Sequence, residues 1–207
     1  MSGFRRRLMM MQGGGGQIPS EDGVYIQSID GKFYTYDEWN LPNEQANGVA
    51  VISSEHPDGG FVIAKVDSGG AKSWGSSNKT ISGIITTTSS STAKKDYAGD
   101  SNTTQIISQD GSNSQAASYC RGYTFPNGMN GYLGSLGEWD IAYKNKASIT
   151  RCMSKIGGKT FYESNYHWSS TQHSSSKAWL FNWESGNVNN YGKDYALFYY
   201  ARAFAAL

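Results

Sequence analysis

From residue 162 to the C-terminus the chain alternates two kinds of position, and this alternation constrains the fold more than any other feature. One kind is mainly large and apolar: Trp168, Trp179, Phe181, Val188, Ala196, Phe198 and Phe204. The other is drawn from Asn, Ser, Tyr, His and Asp: Asn165, Tyr166, His173, Ser174, Ser175, Asn182, Asn187, Asn189, Asn190, Tyr191, Asp194, Tyr195 and Tyr199. Successive side chains of a strand point to opposite faces, so the pattern fits strands that bury one face and show the other. Tyr gives amphipathic contact area at low entropy cost, and Ser and Asn give adaptable hydrogen bonds, as in a paratope. Composition alone fits the polar, Tyr-rich surface of a β protein equally well.

The rest of the composition narrows the classes. At 207 residues the chain is expected to hold one domain plus an extension. The formal net charge is +1, which points to neither nucleic acid nor an anionic membrane as partner. Charged residues make up only 17%, so polarity comes mainly from neutral groups, favouring turns and short strands over long helices. The two cysteines, Cys120 and Cys152, are too few for a disulfide scaffold and show no metal spacing; whether they pair is left open.

Residues 1–20 read as an arm, flexible or docking. Phe4, Arg5, Arg6, Arg7 and Leu8 form its apolar and basic part, and glycines 13–16 form a hinge. Its short apolar run is below a secretory signal, and nothing approaches the roughly 18 apolar residues of a membrane span. The expectation is a docking peptide that inserts into a larger assembly.

The globular part is expected over 21–207. Asp30-Gly31 predicts a hairpin between 24–29 and 32–36, and residues 57–60 a second one between 48–53 and 60–66. Residues 83–92 read as a strand running into a loop. Helices are expected over 100–108 and 114–121, from Ser135 with Glu138 closing a capping box, and over 147–155.

Fixed positions within the last segment carry a family resemblance. Trp168-Ser169-Ser170-Thr171-Gln172, Ala178-Trp179, Gly186-Asn187-Val188, Lys193 and Ala201-Arg202-Ala203-Phe204 are similar to the C-terminal repeat of the variable proteins of diversity-generating retroelements. Phage tropism determinants belong to that family, and its fold is a C-type-lectin fold akin to formylglycine-generating enzymes. The resemblance extends to residues 116–121, 133–139 and 157–158, with Gly134 where relatives usually have Pro. In that family adenines are rewritten, so Asn codons vary while the Trp, Gly and Arg scaffold stays. An Asn codon ending in a pyrimidine gives Tyr, Ser, His, Asp, Leu or Phe but never Glu. Leu180, Leu197 and Phe198 therefore pass as candidates, and Glu184 does not.

The resemblance implies an α+β, C-type-lectin-like fold with small antiparallel sheets and two helices, in which the first strand pairs with the last. It implies a ligand-binding face made of the polar positions above together with Leu180 and Leu197, on a scaffold of Trp168, Trp179, Gly186 and Arg202. It further implies a receptor-binding adhesin of a phage particle, contacting a bacterial surface protein or glycan. Other virion proteins would hold the arm, and the assembly would be a homo-oligomer, a trimer by analogy. A structural virion part and a bacterial surface adhesin are the rival readings. His56, His167 and His173 share no metal or triad pattern, no phosphate-binding loop is present, and no cluster of carboxylates suits calcium. No catalytic residue, metal or cofactor is expected.

Overall fold

A computed structural model describes residues 16–159, 161, 166–197 and 199–207. The docking positions Phe4, Arg5, Arg6, Arg7 and Leu8, the candidate face residue Asn165 and the candidate Phe198 lie outside the described residues. The architecture is α+β, with two antiparallel sheets flanked by helices.

Both expected hairpins form. β1 (Gly23–Ser28) turns at Asp30-Gly31 into the short β2 (Phe33–Tyr34), with Gly31 at a φ of 81° where only glycine sits without strain. β3 (Ala46–Ile52) and β4 (Gly60–Asp67) pair across the turn at 57–59. The helices follow their sequence signals. α2 (Gly99–Asp110) buries Asn102, Ile106 and Asp110, one turn apart. α3 (Gln115–Gly122) follows, then the two-residue β5 (Tyr132–Leu133). α4 (Leu136–Lys144) opens with a complete capping box: the Ser135 hydroxyl accepts from Glu138 N, and the Glu138 carboxylate accepts from Ser135 N. α5 (Lys146–Lys155) stops just before Gly157, whose φ is 66°.

Two expectations are overturned. Residues 83–89 form no named strand; the Ser/Thr-rich run instead closes into α1 (Ser90–Ala93), whose N-cap Ser89 accepts from Thr92 N. The first strand does not pair with the last. The larger sheet has the order β2-β1-β3-β4-β9-β5, so β3 and β4 separate β1 from β9 (Arg202–Ala206). The reason lies in the strands' own composition. Every residue of β3 is buried and β4 is nearly so, which suits central positions, whereas β1 carries Tyr25, Gln27 and Ser28 and takes a place near the edge.

The larger sheet divides the core. Ile26, Val49, Val51, Phe61, Ile63 and Phe204 face α4 and α5 on one side. Ala50, Val62, Ala64, Leu133, Ala203 and Ala205 face α2 and α3 on the other. Gly134 fits because a Cβ there would come within 2.9 Å of the Phe204 ring. The smaller sheet, β6 (Tyr166–Gln172), β7 (Lys177–Asn182) and β8 (Val188–Gly192), bears the candidate face.

Candidate binding face on the smaller sheet

The Trp168–Gln172 run is the inner support of this sheet, and β6 is buried from His167 onward. Its side chains bind other segments rather than solvent. Trp168 donates from Nε1 to Lys72 O at 2.7 Å, and Ser169 donates to Trp179 O at 3.0 Å. Thr171 donates to the buried Asp96 carboxylate at 2.7 Å, and the same hydroxyl accepts from Leu136 N. Gln172 accepts from Ile81 N at 3.0 Å and from the Lys193 ammonium at 2.6 Å. Buried polar groups need partners, and here Trp168, Thr171 and Gln172 tie segments outside the smaller sheet to it, while Ser169 links β6 to β7.

Lys193 is fully buried at the end of β8. Its ammonium also donates to Lys79 O at 2.6 Å and sits 4.7 Å from the Trp74 ring centre. Burial pulls its pKa down to about 8, against the opposing attraction of Asp110. Its carbonyl accepts from Trp74 N and Gly75 N, while Tyr199 O accepts from Lys72 N. Both ends of the segment 193–199 are thus pinned to residues 72–79.

On that support stands an aromatic cluster. Tyr191, Tyr195 and Tyr199 pack as a triangle with ring centres 4.7, 5.4 and 5.6 Å apart. Tyr199 lies edge-on to Trp168 at 5.2 Å, and Tyr166 completes the group at 6.3 Å. Burial and the neighbouring tyrosines raise the Tyr199 pKa. Tyr191 is 41% exposed and Leu197, in the pinned segment, 69% exposed, beside exposed Asp194 and Ala196.

Strand register sorts the other candidates. Tyr166 pairs with Asn182, Trp168 with Leu180, Leu180 with Asn189, and Ala178 with Tyr191, so these residues share the face of the tyrosine cluster. Asn189 and Asn187 are exposed there. Asn182 is half-buried and shapes the turn, accepting from Ser185 N and Ser185 Oγ through Oδ1. Asn190 pairs with Trp179 and points to the other side, where the His173 ring packs on Trp179 at 4.9 Å. Ser174 and Ser175 lie in the β6–β7 turn, where the Ser174 hydroxyl accepts from Lys177 N.

One face assignment needs correction. Leu180 is fully buried, packed with Ala178 and Trp168, while Trp179 and Phe181 fill the core on the opposite side. β7 is the central strand of its sheet and is covered on both faces, so alternation there does not separate core from surface. Trp183, which stacks on Phe161 at 4.0 Å, is a core residue missed from sequence; the every-second-residue series Trp179, Phe181, Trp183 was its signal.

Two of the scaffold residues that the resemblance implied, Gly186 and Arg202, occupy confined positions. Gly186 turns β7 into β8 at a φ of 75°, and a Cβ there would meet the Tyr143 ring at 2.3 Å. Gly186→Ala is expected to cost about 2 kcal/mol, from left-handed backbone strain with the clash added. Urea denaturation checks it, and an unchanged midpoint would show that the turn relaxes freely.

Arg202 sits at the head of β9, fully buried. Its Nε donates to Asp67 Oδ1, Nη2 donates to Lys159 O at 3.1 Å, and the guanidinium lies 3.9 Å from the Phe161 ring centre. Buried His167 Nε2 is 3.2 Å from the same Asp67 oxygen. Burial pushes the Asp67 carboxyl up, but the charges and hydrogen bonds of His167 and Arg202 outweigh it and hold the pKa at about 2. A carboxyl whose folded pKa lies below its unfolded value adds stability above the unfolded pKa and loses it as pH falls through the folded one. We therefore expect about 2 kcal/mol of stability to disappear between pH 4 and pH 2. The Asp67→Asn variant should show a flatter acid limb in urea titrations; an identical limb would contradict the assignment.

Cys120 and Cys152 are buried, unpaired thiols, and burial raises both pKa values. Among the described residues no three His, Cys, Asp or Glu side chains are grouped to hold a metal ion, and no helix is long and apolar enough to cross a membrane.

Comparison with known proteins adds one finding. No family model matches the chain, and no curated protein matches it. Among solved structures, a fimbrial protein from Bacteroides ovatus is similar in fold, with a TM-score of 0.54 at 13% sequence identity. The match covers 90% of this chain and 49% of that one, so the chain spans about half the length of that protein.

Proposed function

We propose that this chain is an adhesin whose tyrosine-centred face binds a molecule of a bacterial surface. The observation that carries the reading is the Tyr191–Tyr195–Tyr199 cluster, partly exposed and standing on a support whose polar groups are spent on internal contacts. Rigid aromatic anchors beside adaptable Asn side chains are how paratopes gain affinity. The support tolerates exchange at Asn187, Asn189, Tyr191, Asp194 and Leu197, because exposed substitutions rarely cost more than about 0.5 kcal/mol. Likeness in fold to a protein described as fimbrial supports a place in a surface appendage. It equally favours a second reading, a structural subunit of such an appendage.

The finer reading is a phage receptor-binding protein whose face is diversified by a retroelement, carried in several copies with the arm docked in the particle. Several copies would add avidity of about 10²–10⁴ to a modest single-site affinity. Sequencing the gene codon by codon across a growing population tests this. Substitutions gathered at Asn187, Asn189, Asn190, Tyr191, Asp194 and Tyr195, with Trp168, Trp179, Gly186 and Arg202 untouched, are the expected result. Uniformly low variation would leave a fixed adhesin or a structural subunit.

A further inference from the structure

A cleft of about 610 Å³ opens at the far end of β9 from the tyrosine face, where Ala206 forms part of its wall. β9 alone sets roughly 13 Å between Arg202 and Ala206, at about 3.3 Å per residue. The volume lies in the range of roughly 300–1,000 Å³ typical of small-molecule sites. The tyrosine face and the cleft are therefore separate.

The inner wall is chemically closed. Glu138 accepts from the Tyr132 hydroxyl at 2.8 Å and from Ser135 N at 2.6 Å, and His56 Nδ1 accepts from Asp58 N at 3.2 Å. Recognition therefore falls to the rim. There the Asp58 carboxylate, the Lys95 ammonium and the Ser101 hydroxyl have no hydrogen-bond or ion-pair partner among the described residues, and the half-buried Tyr97 ring adds an apolar surface. Asp100, also on the rim, is taken up by Arg121 at 2.7 Å.

We propose that this cleft binds a small, neutral, polyhydroxylated ligand such as a single sugar ring. A simple anion would meet Asp58, and a simple cation would meet Lys95. A hydroxyl both donates and accepts, so a ligand dense in neutral hydroxyls satisfies the carboxylate, the ammonium and the Ser101 hydroxyl together. The C–H face of such a ring suits the Tyr97 side chain.

The test is saturation-transfer NMR on the full chain with the methyl glycosides of glucose, galactose, mannose and N-acetylglucosamine. At millimolar concentration at least one should receive saturation. The Asp58→Ala/Lys95→Ala double variant, both sites being exposed, should keep its melting temperature and lose at least tenfold in affinity. The Tyr191→Ser/Tyr199→Ser double variant should bind as the parent does, which separates this site from the tyrosine face. No transfer from any glycoside would overturn the proposal, as would transfer that survives the rim variant or is lost only in the tyrosine variant. Transfer to glycine, acetate or methylamine in place of the glycosides would overturn the ligand class.

Discussion

Replacing Arg202 with methionine is expected to destabilise the protein by about 3–5 kcal/mol, because it strands the buried Asp67 carboxylate without its guanidinium partner. Arg202, Asp67 and His167 are all buried, and Arg202 and His167 converge on one carboxylate oxygen. The compensation is incomplete: Asp67 Oδ2, His167 Nδ1 and Arg202 Nη1 have no hydrogen-bond partner among the described residues. Breaking such a group is costly, whereas replacing all of it by apolar side chains is often neutral or stabilising. The triple variant Asp67→Leu/His167→Leu/Arg202→Met should therefore recover much of the loss. Urea denaturation of the single and triple variants checks both halves. A single variant within about 1 kcal/mol of the parent would show that water already screens the group.

Trp168→Ala carries the second large effect, about 3–5 kcal/mol from lost burial of a large aromatic side chain. It also connects stability to the binding face. The indole is fully buried, anchors residues 72–79 through Lys72 O, and is the surface against which Tyr199 rests. Its removal should loosen the tyrosine triangle, read as a loss of near-ultraviolet circular dichroism larger than that of Tyr199→Ser. Tyr199→Ser itself, at a half-buried position, should cost only about 1 kcal/mol. A Trp168→Ala variant with parental dichroism would mean that the cluster holds itself together.

What the sequence disclosed, and what it hid, follows the range of the interactions. Both hairpins, the capping box at Ser135 and Glu138, and the existence of α2, α3 and α5 depend on neighbours a few residues away, so local patterns revealed them, although α2 runs on to Asp110 past its expected end at 108. The position of β9 between β4 and β5 depends on pairings such as Leu133 with Ala203 and Phe61 with Ala206, far apart in the chain, and analogy placed the last strand beside the wrong partner. Leu180 was misplaced because the codon argument that admitted it says nothing about which face meets water, and it lies on a central strand covered on both sides. The Trp-Ser-Ser-Thr-Gln run was legible as fixed but not as the reason for its fixity. Its partners, Lys72, Ile81, Asp96 and Lys193, are scattered through the chain, and only folding gathers them. The solvent-facing set was read best at Asn187, Asn189, Tyr191, Asp194 and Leu197, which lie on the edge strand or in the loops flanking it, where one side is open.

The most direct test of the binding face is flow cytometry of the fluorescently labelled full chain on a panel of intact bacterial strains, beside the Tyr191→Ser/Tyr195→Ser/Tyr199→Ser variant and the Asp58→Ala/Lys95→Ala variant. At least one strain should bind the parent, the triple tyrosine variant should lose at least tenfold in apparent affinity while melting within a few degrees of the parent, and the rim variant should still bind. Binding that survives loss of all three tyrosines would contradict the assignment of this face, and a chain that binds none of the strains would contradict the adhesin reading.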